Sequence, residues 1–365
     1  MKRWEVLLEL LRPALAPDRP EDVVRRIDPG RDGSLYVQLD RAGSRSWVEV
    51  QGRRVLALTC ADDRRLPLLT ARPHAEARDA LSPLDEHPLA WYPGRRVVLR
   101  GIAEGRPTIV KGYRKGRSEL AAQRHRLAIR ASAGGPLGVP SLVGHHATTS
   151  ALEFEHLRGR QLDGADREPG NLFRIGLGLR WFQRQREDVA ELPVHDQRAE
   201  LGTLDTLARR ATDSTDRLPT TWHAVRAELE AWGQDLPAPQ LCLAHRDLHD
   251  RQVLVDGEDL WWIDFDLMSL ADPLLDAANL SAHLLLRGLQ HRDGLDEVTA
   301  ERLGGALLDG LDRYEAPDFW ARLRFYQATT FLRLAAVYAM RPRWMAHADD
   351  LVHYARRCLM ERSHA

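Results

Sequence analysis

The spacing of apolar residues changes several times along the chain, and those changes divide it. In WEVLLELLRPALA, from Trp4 onward, apolar residues recur at helical spacing with Glu5, Glu9 and Arg12 between them. This predicts an amphipathic helix. We read residues 1–27 as helical, ending near Asp28-Pro29-Gly30. Between Gly33 and Thr59 the period drops to two. The segments SLYVQL, SWVEV and RVLALT, separated by Gly and Asp, predict a small antiparallel meander. Residues 61–88, rich in Pro, Ala and Arg, read as a connector.

Strand-like and helical segments then alternate. Tyr92-Pro93-Gly94-Arg95-Arg96 reads as a turn entering the strand VVLRG, with backbone amides that could cover phosphates. Thr108–Tyr113 is strand-like, Ser118–Ile129 helical, and Leu152–Leu157 again a strand. From residue 158 the helical period dominates. Leu172, Ile175, Leu179 and Phe182 share one face, as do Trp222, Val225, Leu229 and Trp232, and Phe319–Met360 reads as two or three helices. Residues 186–218, rich in Asp, Arg and Thr, predict a surface excursion near the acceptor site.

One stretch interrupts the helical part, HRDLHDRQVLVDGEDLWWIDFD at 245–266. It predicts a hairpin, with Val253–Val255 as one strand, Asp256-Gly257 as the turn and Leu260–Phe265 returning. Such a hairpin brings Gln252 and Asp264 to the same end of two paired strands. Phosphoryl transfer from a nucleotide needs these groups in this order. One carboxylate, Asp247, accepts the proton of an attacking hydroxyl, while the Gln252 amide oxygen and the Asp264 carboxylate hold Mg²⁺. An isolated H-x-D is commonly a turn or a helix cap. The joint spacing of acid, histidine, amide and second acid is what points to catalysis.

The stretch resembles the aminoglycoside phosphotransferase and choline kinase-like families, small-molecule kinases with a protein-kinase-like fold. Their pattern H-G-D-x-H-x-x-N followed by I-D-[FW] is matched at Asp247, His249 and Asp264. His249 favours this branch over protein kinases, which usually have Lys there. Arg246 stands where Gly is usual, and Gln252 where Asn is usual, as in maltokinase-like and glucosamine kinase-like relatives. The resemblance implies that Asp276 of the following DPLLD segment braces the catalytic loop. Asp272 is expected to cap a helix starting at Pro273. Asp266 stands at the Gly of a DFG-type motif and could reach metal or acceptor. His283, Trp320, Arg333 and Trp344 are candidate acceptor-pocket residues, or core and rim.

Composition sharpens one assignment. The chain has only three lysines, Lys2, Lys111 and Lys115, against forty-nine arginines. A kinase needs one compact ammonium that Arg replaces poorly, reaching the α/β-phosphates from an N-lobe strand. Lys111 lies in such a strand. Glu119, the only acid in the following helix, either positions Lys111 or is a favourable N-terminal charge. By order along the chain, the backbone around Glu155 and Leu157 is expected to meet the adenine edge.

The formal net charge of −1 and a pI near 7 give no reason to propose a nucleic-acid partner. The charge is nevertheless split. Residues 91–130 carry eleven Lys or Arg against two acids, and residues 246–318 seventeen acids against six Arg. This suggests a basic N-lobe facing triphosphate and an acidic C-lobe facing metal and a polar or cationic acceptor. Cys60, Cys242 and Cys358 form no paired framework, which suits a reducing cytoplasm. No run approaches the ~20 apolar residues of a membrane span.

The expected fold is α+β, a bilobal protein-kinase-like fold. Residues 1–88 form an N-lobe extension without assignable chemistry, 89–157 the nucleotide-binding N-lobe, and 158–365 the helical C-lobe with catalytic loop and acceptor site. The expected activity is ATP- and Mg²⁺-dependent O-phosphorylation of a sugar, amino sugar or aminocyclitol by direct in-line transfer. The rivals are a kinase-fold nucleotide binder without turnover and, third, a protein kinase. The HRD triplet suggests the last, and His249 and the lack of an A-P-E segment weigh against it.

Overall fold

The computed structural model of the 365-residue chain describes residues 3–12, 23–30, 33–41, 44–70, 88–185, 192–312 and 318–361. Helix α1 (Arg3–Leu11) lays Leu7 and Leu11 on a four-stranded antiparallel sheet. Its strands β1 (Val24–Pro29), β2 (Leu35–Arg41), β3 (Ser44–Gln51) and β4 (Arg54–Leu58) pair in sequence order. The helical reading of 1–27 is therefore corrected at its end. Val24 and Ile27 face the core of this sheet, and residues 26–29 pair with 35–38 in an unbroken ladder. Residues 13–22, in the middle of that reading, lie outside the described residues, as do 71–87 of the connector.

A second sheet of five strands has the order β5-β6-β7-β9-β8, where β5 is Ala90–Tyr92, β6 Arg96–Ala103, β7 Arg106–Tyr113, β8 Leu142–His146 and β9 Ala151–Glu155. Helix α2 (Pro67–Thr70) precedes it and presses Leu68 against β7. A Cβ at Gly112 would come within 2.8 Å of the Leu68 side chain, so this contact needs glycine. Helix α3 (Ser118–Ser132) crosses between β7 and β8.

The C-terminal part is a helical core with small sheets on its cleft side. Helix α4 (Pro169–Gln183) buries the four predicted positions Leu172, Ile175, Leu179 and Phe182. Helix α5 (Gln197–Thr215) replaces the predicted surface excursion. Its apolar residues Leu201, Leu204, Ala208 and Ala211 fall on one face, and that face is buried. Asp205, Thr206, Arg209, Thr212 and Asp213, among the residues that suggested a loop, occupy its exposed side. Helix α6 (Trp222–Asp235) buries its predicted stripe, and α7 (Leu275–Leu289), α8 (Glu297–Leu311), α9 (Phe319–Ala339) and α10 (His347–Met360) complete the core. No helix among the described residues is long and apolar enough to cross a membrane.

The N-terminal sheet is tied to both other parts. The Ile27 amide donates to the Met340 carbonyl (2.9 Å) in the C-lobe, and the Trp47 indole donates to the Trp91 carbonyl (3.1 Å) on β5. Asp28 on β1 pairs with Arg210 of α5 at 3.1 Å and lies 3.9 Å from Arg95 in the turn after β5. This sheet is thus a third wall beside the cleft between the lobes.

Candidate active site

The loop that carries Asp247 is built from buried polar contacts. It follows a short strand, Cys242–Ala244, and its backbone is held from behind by Asp276. One Asp276 oxygen accepts from the His245 amide (2.7 Å), the other from the Arg246 amide (2.8 Å). Burial pushes the Asp276 carboxyl up, opposed by His245 and those two amides. The Asn279 amide donates to the Leu248 carbonyl (2.7 Å), and the buried His245 ring contacts the Ile263 carbonyl (2.9 Å). Asp276 braces the loop as the resemblance implies.

The backbone conformation explains why glycine is usual at position 246 and what arginine costs there. Its φ is +70°, in the left-handed region where a Cβ is crowded and glycine is favoured. Arginine there stores strain in the catalytic loop, held by the Asp276 contact. Asp264 is likewise left-handed, with φ +69°. Among the described residues the Asp247 carboxylate makes no hydrogen bond or ion pair; only its amide is engaged, with His245 (3.3 Å).

The hairpin forms as expected. Strands Val253–Asp256 and Asp259–Trp262 pair antiparallel, and the Ile263 amide donates to the Gln252 carbonyl (3.0 Å). The Gln252 amide nitrogen lies 3.5 Å from Asp264 Oδ2. The hairpin thus brings the two side chains together, with the amide nitrogen and not the oxygen turned toward the carboxylate.

Lys111 on β7 is buried and closes this constellation. Its Nζ lies 2.8 Å from Asp264 Oδ1 and 2.7 Å from Asp266 Oδ2. Burial disfavours the Lys111 ammonium, but the two carboxylates win and raise its pKa. Burial also pushes Asp264 up, and Lys111 and Arg96 override it, holding the carboxyl below the usual range. Tyr113 donates its hydroxyl to Asp266 Oδ1 (2.9 Å), and Arg124 donates to the Asp266 carbonyl. Asp266 thus belongs to this cluster.

At two positions the structure sides with the simpler of the two alternatives. Glu119 does not reach Lys111. Its side chain is 61% exposed on the first turn of α3, and its acidic group lies 3.7 Å from His145. The lysine finds its carboxylates across the cleft instead. The turn after β5 also spends its amides internally. Gly94, with φ +61°, donates to Asp63 Oδ2 (2.6 Å), and the Arg95 amide donates to the Tyr92 carbonyl (2.9 Å). The positive charge at this edge comes from a residue that sequence reasoning passed over, Arg96. Its guanidinium lies 3.1 Å from Asp264 and 3.9 Å from Asp266, and its Cζ sits 5.0 Å over the Tyr92 ring. Among so many arginines, nothing in the sequence marks it.

These side chains form the polar end of a cavity of about 420 Å³ between the lobes. Its other end is apolar, lined by Ile109, Leu152, Phe154, Leu254 and Ile263, and Glu155 and Leu157 line it where the lobes join. Of the proposed acceptor residues, His283 is buried with its ring stacked at 4.9 Å on His249, Arg333 donates to Asn279, and Trp320 is exposed. Asp272 accepts from the Leu274 amide (2.9 Å), so the helix starts slightly later than expected. Among the described residues no three His, Cys, Asp or Glu side chains are grouped as a metal site.

Comparison with known proteins agrees with this geometry. Among solved structures the chain is similar to a choline/ethanolamine kinase family protein from Mesorhizobium loti, with 20% identity over 84% of this chain and 97% of that chain and a TM-score of 0.55. It is also similar to a spectinomycin phosphotransferase (11% identity, 78% and 93% covered, TM-score 0.53) and to an amicoumacin kinase (14% identity, 79% and 92% covered, TM-score 0.51). These likenesses show the fold, a bilobal small-molecule kinase fold. No curated protein matches the sequence. The pattern of the phosphotransferase enzyme family matches residues 94–326, which include β6, Lys111, the catalytic loop and Asp264. The chain belongs to that phosphotransferase enzyme family.

Proposed function

We propose that this small-molecule kinase transfers the γ-phosphoryl group of ATP, with Mg²⁺, to a hydroxyl of a sugar, amino sugar or aminocyclitol. The observation that carries the reading is the convergence of Gln252, Asp264, Asp266, Lys111 and Arg96 at the polar end of an apolar-walled cleft. The related spectinomycin phosphotransferase was solved with ADP and spectinomycin, and the amicoumacin kinase with AMP-PNP, Ca²⁺ and its substrate. Both support a nucleotide and a small polar acceptor for this chain, and the second supports a divalent cation.

In this reading the apolar end of the cleft takes the adenine, near Glu155 and Leu157. Lys111 and Arg96 hold the phosphates, and Gln252 with Asp264 would hold Mg²⁺. When bound, the cation neutralises charge developing on the phosphates. Asp247 orients the acceptor hydroxyl and takes its proton as the new O–P bond forms and ADP leaves. No protein nucleophile is required. Three free cysteines and the use of ATP suit a cytoplasmic enzyme.

A nucleotide binder without turnover is the second reading, favoured by the missing helix glutamate and the internally satisfied turn after β5. Asp247→Asn separates the two. It should leave ATP affinity nearly intact and lower acceptor-dependent turnover by ~10²–10⁴-fold, the usual share of a general base. Turnover is read as phosphate added to sugars, amino sugars and aminocyclitols by product mass. Phosphorylated product at the wild-type rate from Asp247→Asn would remove Asp247 from catalysis, and its absence from both forms across the panel would favour the binder.

A further inference from the structure

A second cavity, of about 570 Å³, lies on the far side of Tyr92 from the nucleotide cleft. Its walls come from the N-terminal sheet, from Tyr92, and from the C-lobe beside the catalytic loop. Eight of its thirteen lining residues are arginines and none is acidic. Four of the eight have carboxylates nearby. Arg25 pairs with Asp40, Arg26 with Asp28 (2.7 Å) and Arg287 with Asp250 (2.8 Å), while Arg292 lies 3.9 Å from Asp293. Arg45, Arg251, Arg341 and Arg343 make no ion pair among the described residues.

Like charges gathered in a concave site cost free energy unless a ligand of opposite sign offsets them. Partial burial lowers the Arg251 pKa and Arg287 and Arg292 lower it further, opposed by Asp250; burial and then Arg26 lower that of Arg341, opposed by Tyr338, Tyr92 and Asp28. Two of these four guanidinium groups, and that of Arg26, are also held in place. Arg341 lies 5.4 Å over the Tyr338 ring, Arg343 5.0 Å over Trp344 and Arg26 5.1 Å over Tyr92. Stacked planar forks lose little freedom on binding and match the oxygens of a phosphate or sulfate. The volume falls within the range of small-molecule sites.

We propose that this cavity binds a small molecule carrying a phosphate or sulfate group, gripped by Arg251, Arg341 and Arg343 of the C-lobe and by Arg45 of the N-terminal sheet. This gives the N-terminal sheet a chemical role, as one wall of an anion site. It holds independently of the transfer reaction. The anion belongs either to the acceptor or to a separate effector.

Isothermal titration calorimetry on the full chain tests the site, with the nucleotide cleft saturated by Mg·ADP and with inorganic phosphate, glucose 6-phosphate and glucose as probes. We expect saturable binding of both phosphates, weakened by salt, and none of glucose. Arg251 and Arg343 are exposed. Arg251→Gln with Arg343→Gln should weaken phosphate binding by about 10- to 100-fold, the value of one or two charge-assisted hydrogen bonds. Arg45→Gln, on the opposite wall, should weaken it independently, which keeps the test decisive if the double variant is unstable. Absence of saturable phosphate binding, or wild-type affinity in the folded variants, would overturn the proposal. Where binding is seen, product mass with ATP tells the sources apart: glucose 6-phosphate gaining a phosphate marks an acceptor, and unchanged mass an effector site.

Discussion

The two cavities that meet at Tyr92 handle charge in opposite ways. In the nucleotide cleft every cation faces an anion: Lys111 touches Asp264 and Asp266, and Arg96 leans on the same pair. In the cavity beside it, four arginines make no ion pair among the described residues, and the carboxylates that do appear, Asp28, Asp40, Asp250 and Asp293, pair with other arginines from outside the lining. A cleft that takes Mg²⁺ together with a triphosphate, as we propose for this one, needs both signs. A site for an anion alone needs only one. The difference teaches that total charge along a stretch says little about a site, since residues 246–318 are strongly acidic and still contribute Arg251, Arg287 and Arg292 to the basic cavity.

The strongest way to break the comparison is to unbalance the paired side. Asp264→Ala leaves Lys111 and Arg96 facing each other with only Asp266 between them, and removes the carboxylate predicted to hold Mg²⁺. Turnover should fall by about 10³-fold or more, since charge stabilisation in a water-poor site is the largest contribution to such reactions. Phosphoryl transfer measured across a Mg²⁺ titration checks this. Activity close to wild type at ordinary Mg²⁺ would take Asp264 out of the site.

A gentler change keeps the charge and alters its shape. Lys111→Arg places a bulky planar fork where a buried ammonium sits within 2.8 Å of two carboxylates. Arg96 already occupies the neighbouring space. Loss of one charge-assisted contact to a phosphate, about 1.5–3 kcal/mol, corresponds to about 10- to 100-fold in kcat/KM. In a chain where arginine has replaced almost every other lysine, an unimpaired arginine variant would show that position 111 does not contact the nucleotide.

What could be read from the sequence follows from how local each signal is. The hairpin and the buried stripes of α4 and α6 are set by neighbours within a few residues, and the structure holds them where expected. Lys111 stood out because lysine is rare here. Arg96 and the basic cavity were hidden for the same compositional reason, since forty-nine arginines give none of them prominence. The cavity also draws on residues up to three hundred positions apart, from Arg25 to Trp344, and only tertiary packing brings them together. Strand β1 was misread as the end of a helix because its partner strand, not its own pattern, decides its conformation. Helix α5 was missed because its polar face outweighed its Leu and Ala stripe in composition.

The smallest effect expected is also the sharpest check on the paired cleft. In the family resemblance an acid on the helix after the lysine strand positions the lysine, and Glu119 is the only acid that α3 offers. The structure gives that work to Asp264 and Asp266, both within hydrogen-bond distance of Lys111 Nζ, and leaves Glu119 on the surface near His145. An exposed pair of this kind contributes at most about 1 kcal/mol. Glu119→Gln should therefore change ATP affinity and turnover by less than about twofold and stability by about 0.5 kcal/mol or less. Nucleotide titration and thermal unfolding of this single variant measure both. If ATP affinity instead fell tenfold while the fold stayed intact, Glu119 would have to reach Lys111 in the working enzyme, and the two-carboxylate clasp on the lysine would be a resting arrangement that opens when nucleotide binds.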